Sequence, residues 1–95
     1  MNSKRSFRLP NRFDFSYHTE FNNQCDSYLS DDKAVYLELD FSQVNYLDSS
    51  ALGMLVLLAR KARSKSDDKI PIRGAKGAAL DILNMANMHK LYDIT

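Results

Sequence analysis

Leu47-Asp48-Ser49-Ser50-Ala51-Leu52-Gly53-Met54-Leu55-Val56-Leu57-Leu58-Ala59 is the stretch that decides the fold. An Asp-Ser-Ser cluster stands directly before an apolar run, and the run closes with Arg60, Lys61, Arg63 and Lys65. Asp and Ser satisfy the unpaired amides of a helix's first turn, and cations suit the partial negative charge at its end. The stretch therefore predicts a helix over about Ser50 to Ser64. Its first turn holds hydroxyls where backbone N–H groups point outward, a natural seat for a phosphate. At about 100° per residue, Ala51, Leu52, Leu55, Leu58, Ala59 and Ala62 share the core face. Gly53, Leu57, Arg60 and Ser64 share the opposite face, with Met54 and Lys61 between the two. An outward Leu57 beside a side-chain-free Gly53 is either a stray surface leucine or part of an apolar contact patch. That patch would lie just past the serines, next to an outward Leu80 on the third helix.

Upstream, Val35, Leu37, Leu39 and Phe41 alternate with Tyr36, Glu38, Asp40 and Ser42. This is a strand with one apolar and one wetter face, so helices should cover mainly one side of the sheet. Val44, Tyr46 and Leu47 carry the chain on into the Asp-Ser-Ser turn. Earlier still, Tyr17, Phe21, Cys25 and Tyr28 recur at helical spacing and predict a helix over about Tyr17 to Leu29, N-capped by Ser16. Ser6 to Leu9 reads as a short strand stopped by Pro10, and Phe13 to Phe15 as a second extended piece. Residues 1–5 read as a disordered basic end, leaving 6–95 as the domain.

Downstream, Ile70-Pro71-Ile72 is a strand that Pro71, which has no ladder donor, pushes to an edge or a strand start. Gly74 and Gly77 bracket a turn into a third helix over about Ala78 to Met88, and Tyr92 with Ile94 predicts a last short strand. Strands alternate with helices throughout. The expected fold class is α/β, one domain with a small, mostly parallel sheet and right-handed crossovers.

Composition excludes several functions. A net charge of +1 over 95 residues offers no electrostatic pull on nucleic acid. No apolar run is long enough to span a bilayer, and no signal peptide is visible, so no direct membrane insertion is expected. The single cysteine, Cys25, excludes an intramolecular disulfide, fits a reducing compartment and reads as a small core residue. A cytoplasmic location follows as the expectation.

Catalytic signals are missing as well. There is no G-x-S-x-G elbow, and the only histidines are His18 and His89. Asp14, Asp40 and Asp48 lack a metal-loop spacing, no Cys/His ligand set exists, and Gly74 and Gly77 fit helix entry better than a phosphate loop. The reading is a non-enzyme with no catalytic, cofactor or metal residues. His18 reads as a surface histidine that approaches the Asp-Ser-Ser turn only if both lie at one end of the sheet.

Residues Phe7 to Ile94 resemble the STAS domain of bacterial anti-sigma factor antagonists. The likeness rests on Val35 to Phe41 leading into Leu47-Asp48-Ser49-Ser50-Ala51-Leu52-Gly53, on Ile72-Arg73-Gly74-Ala75, and on the ending Ile82 to Ile94. The resemblance implies partner switching in a signalling pathway that regulates transcription. The unphosphorylated antagonist binds an anti-sigma factor that is a serine kinase, the kinase phosphorylates a serine at the helix start, and a metal-dependent serine phosphatase reverses this. Carried onto this chain, Ser50 is the first choice of acceptor and Ser49 the second, with Asp48 shaping the turn. The partner-binding set is Asp48, Ser49, Ser50, Ala51, Gly53, Met54, Leu57, Lys61 and Leu80, in a monomer or weak dimer.

Two departures stand out. The family usually has Gly at the position of Ala51, and the usual first strand before Ser6 is absent or reduced, which leaves a sheet edge open to self-association. The family also includes STAS subunits of lipid-transport ATPases, so the alternative is a phosphorylation-independent docking subunit of a membrane ABC-type lipid transporter. A small nucleotide-binding domain is a weaker third reading.

Overall fold

In the computed structural model, which describes residues 3–95, nine regular elements follow one another. They are β1 (Ser3–Arg8), β2 (Arg12–Phe13), α1 (His18–Ser30), β3 (Ala34–Asp40), β4 (Tyr46–Leu47), α2 (Ser49–Ala62), β5 (Ile70–Arg73), α3 (Gly77–Met85) and β6 (Tyr92–Ile94). The main sheet has the order β1-β3-β5-β6, and every pairing in it is parallel. Phe7, Leu39, Ile72 and Ile94 lie in one row across it. A second, two-stranded parallel ladder joins Arg12 to Tyr46 and Phe13 to Leu47.

The two faces of the sheet differ as the alternation in β3 requires. Leu37, Leu39 and Phe41 are buried, whereas Tyr36 is exposed and Glu38 and Asp40 are half-buried; the side chain of Val35 lies outside the described residues. Against the apolar face pack Phe21, Cys25 and Tyr28 of α1 and Ala51, Leu55, Leu58 and Ala62 of α2. Phe13, Phe21 and Phe41 form an aromatic knot, with ring centroids 5.4 Å and 6.2 Å from Phe13. The Phe13–Phe41 pair is edge-to-face, an arrangement that adds about 0.5–1.5 kcal/mol beyond the area it buries. The Tyr92 hydroxyl donates to the carbonyl of Leu55, which pins β6 to the middle of α2.

The main sheet is parallel throughout and the helices feed one core, as expected from the alternating elements. Five details differ. First, residues 3–5 are not a disordered tail: they open β1, a six-residue edge strand paired with β3, with one register shift between Ser3 and Lys4. Their cations are held, Lys4 by Glu38 at 2.9 Å and Arg5 by Asp31 at 2.8 Å. Charges that read as a solvated end are cross-element pairs. Residues 1 and 2 lie outside the described residues.

Second, Ser16 does not cap α1. The Asp14 carboxylate accepts from the Ser16 amide at 3.0 Å and starts a 3-10 turn over Phe15–Tyr17, and α1 begins only at His18. Third, that turn takes up Phe15, so the second extended piece is only Arg12–Phe13. Fourth, of the two places expected for Pro71, β5 is not an edge but an interior strand; Pro71 stands near its start, the other place, and pairing with β3 begins only at Ile72. Fifth, α3 ends at Met85 rather than Met88. Asn87, at φ 60, takes the left-handed conformation that asparagine tolerates and turns the chain into a 3-10 segment over Met88–Lys90.

Candidate functional site

All β-strands of a parallel sheet deliver their following loops to one end, and α2 starts there. Asn11 clasps that end together: its backbone carbonyl accepts from the Asn45 amide at 2.8 Å, and its side chain accepts from Asn45 Nδ2 at 3.2 Å. Gly74, at φ +79, lets the loop after β5 pass the loop after β3, since a Cβ there would sit 3.1 Å from the Ser42 backbone. The buried Val44 and Leu47 then fix where β4 hands over to α2.

Asp48 is the N-cap of α2. Its carboxylate accepts from the Ala51 amide at 2.9 Å while its own carbonyl takes the first helical bond, from Leu52. One candidate cap thus does the capping that three were available for. Among the described residues, the Ser49 and Ser50 hydroxyls engage no partner and their amides have no acceptor. Free hydroxyls beside free amides at the positive end of a 14-residue helix suit a dianion electrostatically. Ser49 is exposed, and Ser50 is half-buried on the lip of a groove.

The groove encloses about 530 Å³ and is lined by Phe15, His18 and Asn22 on the α1 side and by Ser50, Gly53, Met54, Val56 and Leu57 of α2. Phe15 stacks on His18, with ring centroids 4.6 Å apart and planes at 11°. Phe15 and Leu57 remain 62% and 54% exposed, a large share for two apolar side chains on one wall-and-floor surface. A Cβ on Gly53 would meet nothing within 4 Å. The fold therefore has no steric need of a glycine that costs the helix about 0.8–1.0 kcal/mol relative to alanine.

Arg12, on β2, engages two neighbours near this end of the sheet. It lies over the exposed Tyr46 ring at 5.0 Å and bonds the Asp14 carboxylate at 2.9 Å. Hydrogen bonds from Ser16 and then Arg12 hold the Asp14 carboxyl below its ordinary range.

A family model described as "Mlab, STAS domain" matches residues 5–93. The chain belongs to the STAS domain family. A solved structure from Thermotoga maritima, of a protein provisionally assigned as an anti-sigma factor antagonist, superposes on this STAS domain with a TM-score of 0.76. The two share 20% sequence identity, over 90% of this chain and 74% of the other, a likeness of fold.

Within the STAS domain, Ser50, Gly53, Met54 and Leu57 come together in the groove, with Asp48, Ser49 and Lys61 beside it on α2. Two sequence-predicted members leave the set. Ala51 is fully buried, because the residue three places after the cap turns into the core, so it cannot touch a partner through its side chain. Leu80 is half-buried on α3 and takes no part in the groove, whose other wall is α1. The large apolar residue that α3 exposes is Met85.

Phe15, His18, Asn22 and Val56 were not singled out as groove residues. The Asp14-x-Ser16 pair, an Asx-type turn, was the signal that Phe15 would leave the strand direction and reach this end. Cys25 lies in the core, its thiol pushed up to about 12 by burial. No group of three metal-ligating side chains occurs among the described residues, and no described helix is long and apolar enough to cross a membrane.

Proposed function

We propose that this STAS domain is a non-enzymatic, cytoplasmic regulator of the anti-sigma factor antagonist type, switched by a phosphate at Ser50. Unphosphorylated, it docks an anti-sigma factor that is also a serine kinase; phosphorylation releases it, and a metal-dependent serine phosphatase restores docking. The observation that carries this reading is the unengaged Ser50 hydroxyl on the lip of an apolar groove, beside amides with no acceptor. The fold shared with the Thermotoga protein agrees with it.

The physics of the switch is local. A phosphoserine brings about −1.5 to −2 charge, and a helix N-terminus tolerates it or gains about 0.3–1 kcal/mol. The scaffold hardly changes. Docking does change, because a dianion desolvated in an apolar interface costs several kcal/mol unless the partner pairs it, so affinity falls by about a hundredfold. Ser50 is preferred to Ser49 because it borders the groove, whereas Ser49 is exposed outside it.

The test is incubation with the kinase encoded nearest to this chain and ATP, read by intact mass and peptide mapping. One phosphate on Ser50, lost in Ser50→Ala, is the expected result. Kinase binding should be kept in Ser50→Ala and lost in Ser50→Asp. No phosphate on either serine removes the switch.

The apolar lining of the groove also favours a second reading, a docking subunit of a membrane ABC-type lipid transporter that needs no phosphate. Co-purification of a transporter nucleotide-binding subunit, unaffected by Ser50→Asp, would select that reading.

A further inference from the structure

We infer that the α1–α2 groove receives an amphipathic helix of a protein partner, with acidic residues at the end that meets Arg60 and Lys61. The inference rests on the docking part of the proposed function and is independent of phosphorylation. Three observations carry it.

The first is the notch at Gly53. An interior helical glycine with open space around its missing side chain lets an outside backbone come close, and Leu57 and Phe15 rise on either side of it as exposed apolar walls. Small residues at a crossing point with larger ones around it are the form in which helices approach each other.

The second is the character of the walls. Both are helices whose backbone groups are already hydrogen-bonded within the helix, so they offer no ladder to an extended strand. An occupant must satisfy its own backbone, which a helix does, and must anchor through side chains at i, i+3, i+4 and i+7. From Ser50 to Lys61 the groove line runs about 16 Å, or three helical turns.

The third is charge. Arg60 and Lys61 follow Leu57 by three and four residues, on the same side of α2, and neither forms an ion pair among the described residues. Both help the C-terminal end of their own helix, which explains cations there but not their being left unpaired beside an apolar groove. On the α1 wall, Asp26 stands one turn beyond Asn22, and it and Lys61 both act on Cys25. The balance at this end is still one net positive charge, whereas at the other end the Asp48 carboxylate already sits on the first turn of α2. A partner helix with two or more Asp or Glu residues at its Arg60–Lys61 end matches that field, and a basic one opposes it.

The test is selection from a phage-displayed library of random amphipathic helices on the full, unphosphorylated chain, followed by NMR titration of the selected peptides. Enrichment of Asp and Glu at one peptide end is expected, with amide shifts at Phe15, Gly53 and Leu57. Leu57→Glu and the pair Arg60→Glu with Lys61→Glu should each weaken binding by about tenfold or more, and a peptide with its acids changed to lysine should regain affinity for the charge-reversed chain. Gly53→Ala should raise the melting midpoint yet weaken binding, a split that misfolding cannot produce.

No enrichment, enrichment of basic helices, binders that map to the open face of the sheet, or a charge swap without rescue would each overturn the inference. So would a dimer in sedimentation whose interface is this groove, since the occupant is then a second copy. A phosphate on Ser50 with no helix binder rejects the inference alone; a helix binder without phosphate transfer rejects the switch alone.

Discussion

The open face of the sheet and the outward face of α2 treat charge and apolar surface in opposite ways. On the sheet, Glu38 of β3 sits between Lys4 of β1 and Arg73 of β5, at 2.9 and 3.5 Å, and Arg8 faces Asp40 at 3.6 Å. Lys4 also lies 5.4 Å from the centre of the Tyr36 ring. Each cation there has a partner from a neighbouring strand. On α2, two hydroxyls and two cations form no hydrogen bond or ion pair among the described residues, and Leu57 stays largely exposed. A surface that answers its own charges gains little from a partner. The surface that leaves hydroxyls, cations and an apolar side chain unanswered is where an external molecule has most to offer.

The contrast is broken or sharpened first inside α2 itself. Leu55 is 0% exposed and Leu57 is 54% exposed, two residues apart. Leu55→Ala should cost about 2–5 kcal/mol in urea denaturation, the price of a core cavity. Leu57→Ala should shift stability by less than about 0.5 kcal/mol while weakening partner binding. Equal stability effects at the two positions would erase the distinction between core and docking face.

The next largest effect is expected at Lys65. Its ammonium donates to the carbonyls of Tyr28 and Asp31 at 2.8 and 2.6 Å and so closes the C-terminal end of α1 with a residue that follows α2. Lys65→Met keeps the stem but removes the donor, and should lower stability by about 1–2 kcal/mol in thermal melts. Asp48→Ala, which removes the side-chain acceptor of the Ala51 amide, should cost about 1 kcal/mol and loosen the amides of Ala51 and Leu52 in hydrogen exchange. Gly53→Ala should run the other way and stabilise by about 0.5–1 kcal/mol, because nothing occupies the space its methyl enters.

The smallest effect tests the sheet face. Glu38 is held below its ordinary value of 4.5, chiefly by the hydrogen bond from Lys4, and Asp40 below 3.8, chiefly by the Ser42 amide. A carboxylate with a lowered folded-state pKa stabilises fully above its unfolded value and loses that contribution as pH falls through the folded one. Stability should therefore be level from neutral pH down to about 5 and decline below about 4.5, with Glu38→Gln making the decline shallower. Binding at the groove should not follow that curve.

Sequence periodicity carried most of the architecture. The alternation in β3 and the spacing Tyr17, Phe21, Cys25, Tyr28 needed only local geometry; Leu37, Leu39, Phe41, Phe21, Cys25 and Tyr28 are buried accordingly, and Tyr17 is half-buried in the turn before α1. What was not legible depends on long-range partners. Lys4 and Arg5 look like a tail until Glu38 and Asp31 are placed opposite them. Pro71 leaves an edge and a strand start equally open until the ladder to β3 is seen to start one residue later. At the site, the stripe through Gly53, Leu57 and Arg60 was readable as a helix face. Which helix forms the other wall was not: the sequence pointed to Leu80 on α3, whereas Phe15 and His18 stand there. Two faces can be assigned from one helix, but their neighbour is decided by topology.

Cys25, the only thiol in the chain, lies beneath the α1–α2 seam with its ionisation pushed up to about 12. It is therefore a reporter already installed in the molecule. Alkylation by a soluble maleimide can proceed only as fast as the two helices part, so the labelling rate clocks that opening. Anything that seats itself between them should slow the clock, and no dye, tag or engineered residue is needed to watch it happen.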